Sequence, residues 1–190
     1  MKSFLLILIL IIGQQSLAKA DNIDKFEIEG ISVGDSLLKF TTSDYIKKNF
    51  GKWYDDEYHQ LILNDNFLHY EDVIVSFKPA DKNFTIVSVS GSINYGTKIN
   101  ECYEEQKKVD KIFLRIFPDA NRRVDILKKG SYGAENGDTN SKQIVYDFAG
   151  GTAVIDCLDW DQNFKPKYKD RILISIDNEE FRSWLVKNSS

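Results

Sequence analysis

The dipeptide Gly150-Gly151 stands between two runs of β-prone residues and constrains the fold more than any other feature of the chain. Glycine adopts the positive φ angles of tight hairpin turns without strain, so the two runs are predicted to pair as antiparallel strands around this turn. Residues that stand directly opposite each other share a face of the sheet. The predicted pairs are Phe148 with Ala153, Tyr146 with Ile155, and Ile144 with Cys157. Because that face is apolar, Cys157 is expected to point into a core.

A long helix is predicted over residues 98–117, with Thr97 as its N-cap and the helix breaker Pro118 directly after it. Apolar residues recur along it at steps of three and four, which is the spacing of one helical face. This stripe consists of Ile99, Cys102, Gln106, Val109, Phe113 and Ile116. Gln106 is its polar member, and we expect its side chain to bond to a backbone group.

The two cysteines of the chain fall on surfaces that are predicted to meet. Cys102 lies on the helical stripe that faces the sheet, and Cys157 lies on the apolar face of a strand, so we predict a disulfide between them. Closing this loop would add about 4 kcal/mol to the stability on the chain-entropy model. Two buried free thiols are the alternative. No C-x-x-C motif indicates a redox-active pair.

The N-terminus has the pattern of a secretory signal peptide over residues 1–20. Lys2 is followed by the apolar run 4–12 and by the cleavage motif Ala18-Lys19-Ala20. A bilayer-spanning helix needs about 20 apolar residues, so this run is too short to remain as an anchor. We therefore expect an exported chain, periplasmic or secreted, that has no membrane span after cleavage.

The charge balance argues against nucleic acid as a partner. The full chain has a net charge of −4, and removing residues 1–20 takes away two of its 25 basic residues and none of its 29 acidic ones, which leaves −6. A phosphate backbone or an anionic membrane surface attracts basic proteins instead. The length after cleavage suits a single domain over residues 21–190.

The remaining helix and strand signals follow the chain in a repeated order. Two short helices are predicted first, with Asp35 and Ser43 as N-caps, and residues 53–58 are expected to form a loop. Strands are predicted at 59–64, 73–77, 87–95, 123–127 and 171–177, with a bulge at Gly91 and a last helix capped by Asp177.

These elements predict an α+β fold, in which an antiparallel sheet carries helices packed on one face. The order of helices followed by strands occurs twice. It is compatible with a duplicated α-β-β-β unit, with halves at residues 30–95 and 97–188.

Four aromatic residues in predicted loops are candidates for an interface: Trp53, Tyr54, Tyr58 and Trp160. Trp and Tyr concentrate at protein interfaces, because one end of each side chain packs while the other stays hydrated. The alternative is that these rings close the ends of the sheet.

The sequence contains no recognisable catalytic or metal-binding constellation. His59 and His69 are the two histidines, and neither belongs to an H-E-x-x-H motif or another ligand spacing. No G-x-S-x-G motif is present either. We therefore expect no metal, no cofactor and no catalytic residue, and an enzymatic role is less favoured than binding.

Three segments resemble an uncharacterised family of short exported proteins from marine alphaproteobacteria: residues 28–38, Cys102-Tyr103 and residues 154–160. This resemblance implies a Gram-negative periplasm and carries no activity. The layout is also loosely similar to envelope-accessory and inhibitor modules such as the outer-membrane assembly lipoprotein family. Gly30-Ile31-Ser32 begins like their motif, but the leucine-glycine-x-proline that ends it is absent.

Export, one disulfide and the missing catalytic motifs favour a non-catalytic binding or envelope-accessory module whose partner is another envelope or secreted protein. A small-ligand-binding protein or hydrolase with its site between the helices and the sheet is the alternative.

Overall fold

A computed structural model describes residues 23, 26–54, 56–63, 67–127, 139–161 and 168–188. The chain begins with β1 (Glu27–Ile28), β2 (Ile31–Ser32), a 3₁₀ helix (Leu37–Lys39), α1 (Ser43–Asn49), β3 (Gly51–Tyr54), β4 (Tyr58–Leu63), β5 (Asp72–Phe77) and β6 (Ile86–Gly96). It continues with α2 (Ile99–Ile116), β7 (Asn121–Leu127), β8 (Asn140–Phe148), β9 (Gly151–Asp159), β10 (Asp170–Asn178) and α3 (Glu179–Asn188).

Eight strands form one antiparallel sheet in the order β3-β4-β5-β6-β10-β9-β8-β7, and β1 and β2 form a small second sheet. The α+β prediction is therefore confirmed. Each half of the large sheet consists of four strands that are consecutive in the chain and follow a helix, and the last strands of the two halves, β6 and β10, pair at the centre. The first half has four strands instead of the predicted three, because residues 51–54, part of which was predicted as loop, form the edge strand β3.

The two faces of the large sheet differ in composition. One face, called here the helix face, is covered by α1 and α2, whose buried residues Ile46, Cys102, Val109 and Phe113 share one apolar core with Val89, Ile155 and Ile174. The other, the serine face, carries the buried residues Ser76, Ser88, Ser90, Ser92 and Ser175. This alternation of apolar and polar residues is what an antiparallel sheet with one core face requires.

Helix α3 packs on the serine face and not on the helix face, in contrast to the prediction that the helices share one face. Its Phe181 contacts Tyr58 and Val87 in a second apolar cluster. Tyr58 lies three residues before Leu61 in β4, so the two side chains are on opposite faces of the sheet, and Leu61 belongs to the main core. Val87 reaches the serine face because the β5–β6 register shifts next to it, so that Phe77 pairs with Ile86 and Ser76 with Ser88.

Cys102 and Cys157 form a disulfide with their Cα atoms 6.0 Å apart, which confirms the predicted bond. It ties α2 to β9 across the helix face. Gln106 lies one turn further along α2, and its Nε2 donates to the carbonyl oxygens of Lys142 at 2.7 Å and Ile155 at 2.9 Å. The backbone partner expected for Gln106 is therefore present, on both strands of the hairpin.

The β8–β9 hairpin forms, but its register differs from the prediction by two residues. Phe148 pairs with Gly151, so the turn consists of Ala149 and Gly150, and of these two only Gly150 has a positive φ, of 86°. Gly151 is instead the first residue of β9, where a Cβ atom would collide with the Asp177 carbonyl oxygen. A shift of two residues leaves every side chain on its predicted face.

Two kinds of local prediction were wrong: the residues at the helix N-caps and the bulge at Gly91. The residues at the helix N-caps are Ser36, Thr42, Lys98 and Asn178, in place of the predicted Asp35, Ser43, Thr97 and Asp177. Gly91 is not a bulge: it pairs in register with Val73 and Ile174, and a Cβ atom there would lie 2.5 Å from the Tyr70 ring. Glycine is therefore needed at this position because the Tyr70 ring lies close to the backbone.

Within the described residues, no helix combines the length and apolar character needed to cross a membrane.

Candidate functional site

The four predicted interface aromatics do not form one surface. Tyr58 is buried between Phe181 and Trp184, at ring distances of 5.0 and 5.1 Å, so it is covered by α3 on the serine face and cannot contact a partner. Trp160 is half-buried and stacks on Tyr168 at 4.5 Å. Trp53 and Tyr54 belong to the edge strand β3, and their side chains lie outside the described part of the structure.

A different set of large side chains is exposed together around one groove. Tyr45 is 41% exposed and Phe40 39%, and Leu68, which is 83% exposed, directly follows the lining residue Phe67. The groove has a volume of about 470 Å³ and is lined by Glu29, Ile31, Lys39, Phe40, Thr41, Tyr45, Leu63 and Phe67. Ile31 and Leu63 are buried and form its floor. The lining thus combines aromatic and aliphatic side chains with two charged residues, Glu29 and Lys39.

The 3₁₀ helix and α1 hold the Phe40 side of the groove. Leu37 and Ile46 are fully buried and anchor these two elements to the helix face. Between them, the Thr42 hydroxyl accepts a hydrogen bond of 3.2 Å from the Tyr45 N–H and caps α1. Since Leu37 and Ile46 are held in the core, they fix the backbone segments that carry the exposed side chains of Phe40 and Tyr45.

Glu29 holds the opposite side of the groove. Its carboxylate accepts backbone N–H groups from Leu68 at 3.1 Å, His69 at 2.6 Å and Tyr70 at 3.3 Å. Glu29 has a positive φ of 54°, which is uncommon for a residue other than glycine. Several hydrogen bonds to one carboxylate offset such backbone strain, so Glu29 fixes the segment that carries Phe67 and Leu68.

Neither of the two histidines lines this groove. His59 is buried on the helix face, stacked on Phe50 at 4.1 Å, and burial followed by the charge of Lys52 lowers its pKa. His69 is bound to Glu29 through its backbone N–H. Across the described residues, no group of three or more His, Cys, Asp or Glu side chains could hold a metal ion.

A buried carboxyl lies elsewhere, on the serine face near the end of β10. Asp177 accepts a hydrogen bond of 2.6 Å from the Ser88 hydroxyl. Burial raises the pKa of Asp177 to about 6, although the Ser88 hydroxyl and the nearby Arg182 act in the opposite direction. Among the contacts of the described residues, no histidine adjoins this pair, so it lacks the Ser-His arrangement of an activated serine.

Sequence reasoning missed the groove because its walls come from separate segments. Leu37, Leu38 and Phe40 all fall in the short helix predicted after Asp35, and periodicity alone does not show that Leu37 is buried while Phe40 is exposed. Leu68 belongs to no periodic pattern in the sequence. No family model matches the chain, and no curated protein or solved structure matches it. The groove and its exposed side chains are therefore the basis for any functional conclusion.

Proposed function

We propose that this protein is an exported, non-catalytic binding module that holds a segment of another envelope or secreted protein in the groove between Phe40 and Phe67. One observation carries the proposal: Phe40 and Tyr45 are large, exposed and line a single groove, and the 83% exposed Leu68 directly follows the lining residue Phe67. Contiguous exposed apolar side chains with a polar rim are typical of protein-binding surfaces. Aromatic anchors of this kind supply much of the binding energy of such surfaces.

The polar groups of the groove favour a protein segment over a small ligand. Small-molecule sites place a few convergent polar groups at the ligand. Here the Glu29 carboxylate already accepts three backbone N–H groups, and Lys39 forms an ion pair with Asp35. Leu68 is 83% exposed, follows the lining residue Phe67 and is not itself part of the lining, so a partner that extends past the groove would contact it and an enclosed ligand would not.

The surroundings of Tyr45 indicate the chemistry of the partner. Lys47 and Lys48 are exposed in the last turn of α1, two and three residues after Tyr45. A partner segment that carries an apolar anchor next to an acidic residue would satisfy both the groove and these two ammonium groups. We therefore expect the bound segment to be acidic near its anchor.

Export is supported by two independent features. Residues 1–20 have the pattern of a signal peptide. The Cys102–Cys157 disulfide is the kind of bond that persists in oxidising compartments such as the periplasm. The resemblance to exported alphaproteobacterial proteins is consistent with this location.

Selection from a displayed peptide library on the purified protein tests this proposal. We expect enriched peptides with an aromatic or large aliphatic residue beside an acidic one, and we expect Leu68→Ser and Phe40→Ser to weaken their binding at least about tenfold. Ile62→Ser is the matched control, because Ile62 is 43% exposed but lies on the serine face. Peptides that bind all three variants equally would contradict the proposal, as would a thermal-shift response to a small metabolite that Phe40→Ser abolishes.

A further inference from the structure

Strand β7 is an open edge of the large sheet. It stands last in the strand order and, among the described residues, pairs with β8 alone, so one side of its backbone has no partner strand there. It is seven residues long, from Asn121 to Leu127. The opposite edge, β3, has four residues and an irregular register. Long regular edges are templates for pairing with another strand, and proteins usually protect them.

The side chains of β7 do not protect this edge on the helix face. Val124 is 46% exposed and Ile126 is 62% exposed. Both lie on the helix face, because they stand opposite Ile144 and Lys142 of β8. Exposed β-branched residues on an unpaired strand are suited to packing against a further strand.

The charges of β7 complement themselves when two copies pair antiparallel. If Val124 stands opposite Val124 of a second copy, Arg123 stands opposite Asp125 of that copy, and the reverse pair forms as well. Opposite charges directly across two strands are stabilising, and like charges are destabilising. A register centred on Arg123 or on Asp125 would place like charges opposite each other, so the charges select Val124 as the centre.

Contacts within the chain leave this arrangement available. Arg122 is held away from the edge, because its Nε and Nη2 each bond to the Asp110 carboxylate of α2 at 2.9 Å. Arg123 contacts Asp125 of its own strand and Asp147 of β8, on the serine face. In the paired form, Arg123 and Asp125 of the two copies would alternate across the junction. They would continue the row of opposite charges that Arg123 already forms with Asp125 and Asp147 on the serine face.

We propose that β7 is a homodimerisation edge, where two copies of this chain pair antiparallel about a twofold axis through Val124 and join their eight-stranded sheets into one. The proposal does not depend on the groove. The groove adjoins β4, in the half of the sheet farthest from β7, so each can fail without the other.

Sedimentation velocity over a range of concentrations tests the charge pattern. We expect dimers of the wild-type protein, and a dissociation constant raised at least about tenfold by either Arg123→Asp or Asp125→Arg alone. An equimolar mixture of these two variants should dimerise again, because both cross-strand pairs then have opposite charges. Lys47→Asp is the control for a charge change away from the edge. A monomeric wild type at about 1 mM, or a mixture no tighter than its components, would overturn the proposal.

Cysteine cross-linking tests the register with milder changes. The twofold axis brings the two Val124 Cα atoms to about 5 Å, whereas Ile126 is offset from its own copy by about 13 Å along the strands. We expect Val124→Cys to form a disulfide-linked dimer under mild oxidation at least about tenfold faster than Ile126→Cys. Equal rates for the two variants would overturn the proposed register.

Discussion

The Ser88 hydroxyl donates a hydrogen bond of 2.6 Å to the Asp177 carboxylate, across the β6–β10 pair that joins the two halves of the sheet. Burial raises the pKa of Asp177 from 3.8 to about 6. A carboxyl with a higher pKa in the folded than in the unfolded chain favours folding while it is protonated. Its contribution is complete below about pH 3.8 and is lost as the pH rises through about 6.

Replacing Asp177 with Asn should therefore stabilise the protein at neutral and higher pH. We expect the free energy of unfolding at pH 8 to rise by up to about 3 kcal/mol, because the wild type then buries an ionised carboxylate and the variant does not. The advantage should disappear near pH 4, where Asp177 is protonated in the folded state. Urea unfolding at both pH values measures this difference, and a variant less stable than the wild type at pH 8 would contradict the assignment.

His59 should produce the opposite pH dependence. Burial lowers the pKa of His59, so the unfolded chain takes up the proton first and stability falls as the pH drops below about 6.5. Its Nε2 has no hydrogen-bond partner among the described residues, and its ring stacks on Phe50. We expect His59→Phe to raise the melting temperature more at pH 5.5 than at pH 8.

The pH windows of His59 and Asp177 overlap with opposite signs. The His59→Phe comparison is therefore cleanest in the Asp177→Asn background, where only the histidine contribution remains. An equal gain in melting temperature at both pH values would show that packing alone, and not the charge of His59, is responsible.

The disulfide should account for a large part of the thermal stability. Cys102 and Cys157 are separated by 55 residues, and closing a loop of that size is worth about 4 kcal/mol on the chain-entropy model. For a chain of this length, the loss corresponds to a melting temperature lower by about 10 °C. Calorimetry of the Cys102→Ala/Cys157→Ala variant measures this loss. The single variant Cys157→Ala also lacks the disulfide but keeps the Cys102 side chain, so the difference between the two variants checks the effect of buried volume. An unchanged melting temperature would contradict this estimate.

Removing the Glu29 carboxylate should loosen one wall of the groove. Glu29→Ala leaves the backbone N–H groups of Leu68, His69 and Tyr70 without their acceptor, at a cost of about 2 kcal/mol. Hydrogen exchange should show faster exchange at these three amides than in the wild type. Glu27→Ala, on the exposed side of β1, is the control. Unchanged exchange would show that other contacts hold this segment.

The spacing of apolar residues, every second residue in the strands and every third or fourth in the helix, predicted the sheet, the long helix and the disulfide. The roles of the glycines were misassigned. Gly150-Gly151 indicated a turn, but only Gly150 has a positive φ. Gly151 is needed because Asp177 of β10 approaches it, and Gly91 because Tyr70 covers it. A glycine that frees the backbone and one that admits a distant neighbour look the same in sequence, so the hairpin register and the bulge were wrong.

Exposure of single aromatic residues depended on contacts that local sequence does not contain. Tyr58 was a candidate for the interface, but α3 folds over the serine face and buries it against Phe181. Phe40 follows the buried Leu37 in the same short segment and remains exposed. Which of these rings is available to a partner is decided by the packing of α1 and α3, and therefore required the structure.

Photo-cross-linking at position 40 tests binding in the groove most directly. With a photoreactive phenylalanine analogue in place of Phe40, in cells that export the chain, we predict a cross-link to one envelope or secreted protein. Excess of the library-selected peptide should abolish this product, and the same analogue at Ile62 on the serine face should not yield it. Identical products at both positions, unaffected by the peptide, would contradict a binding role for the groove.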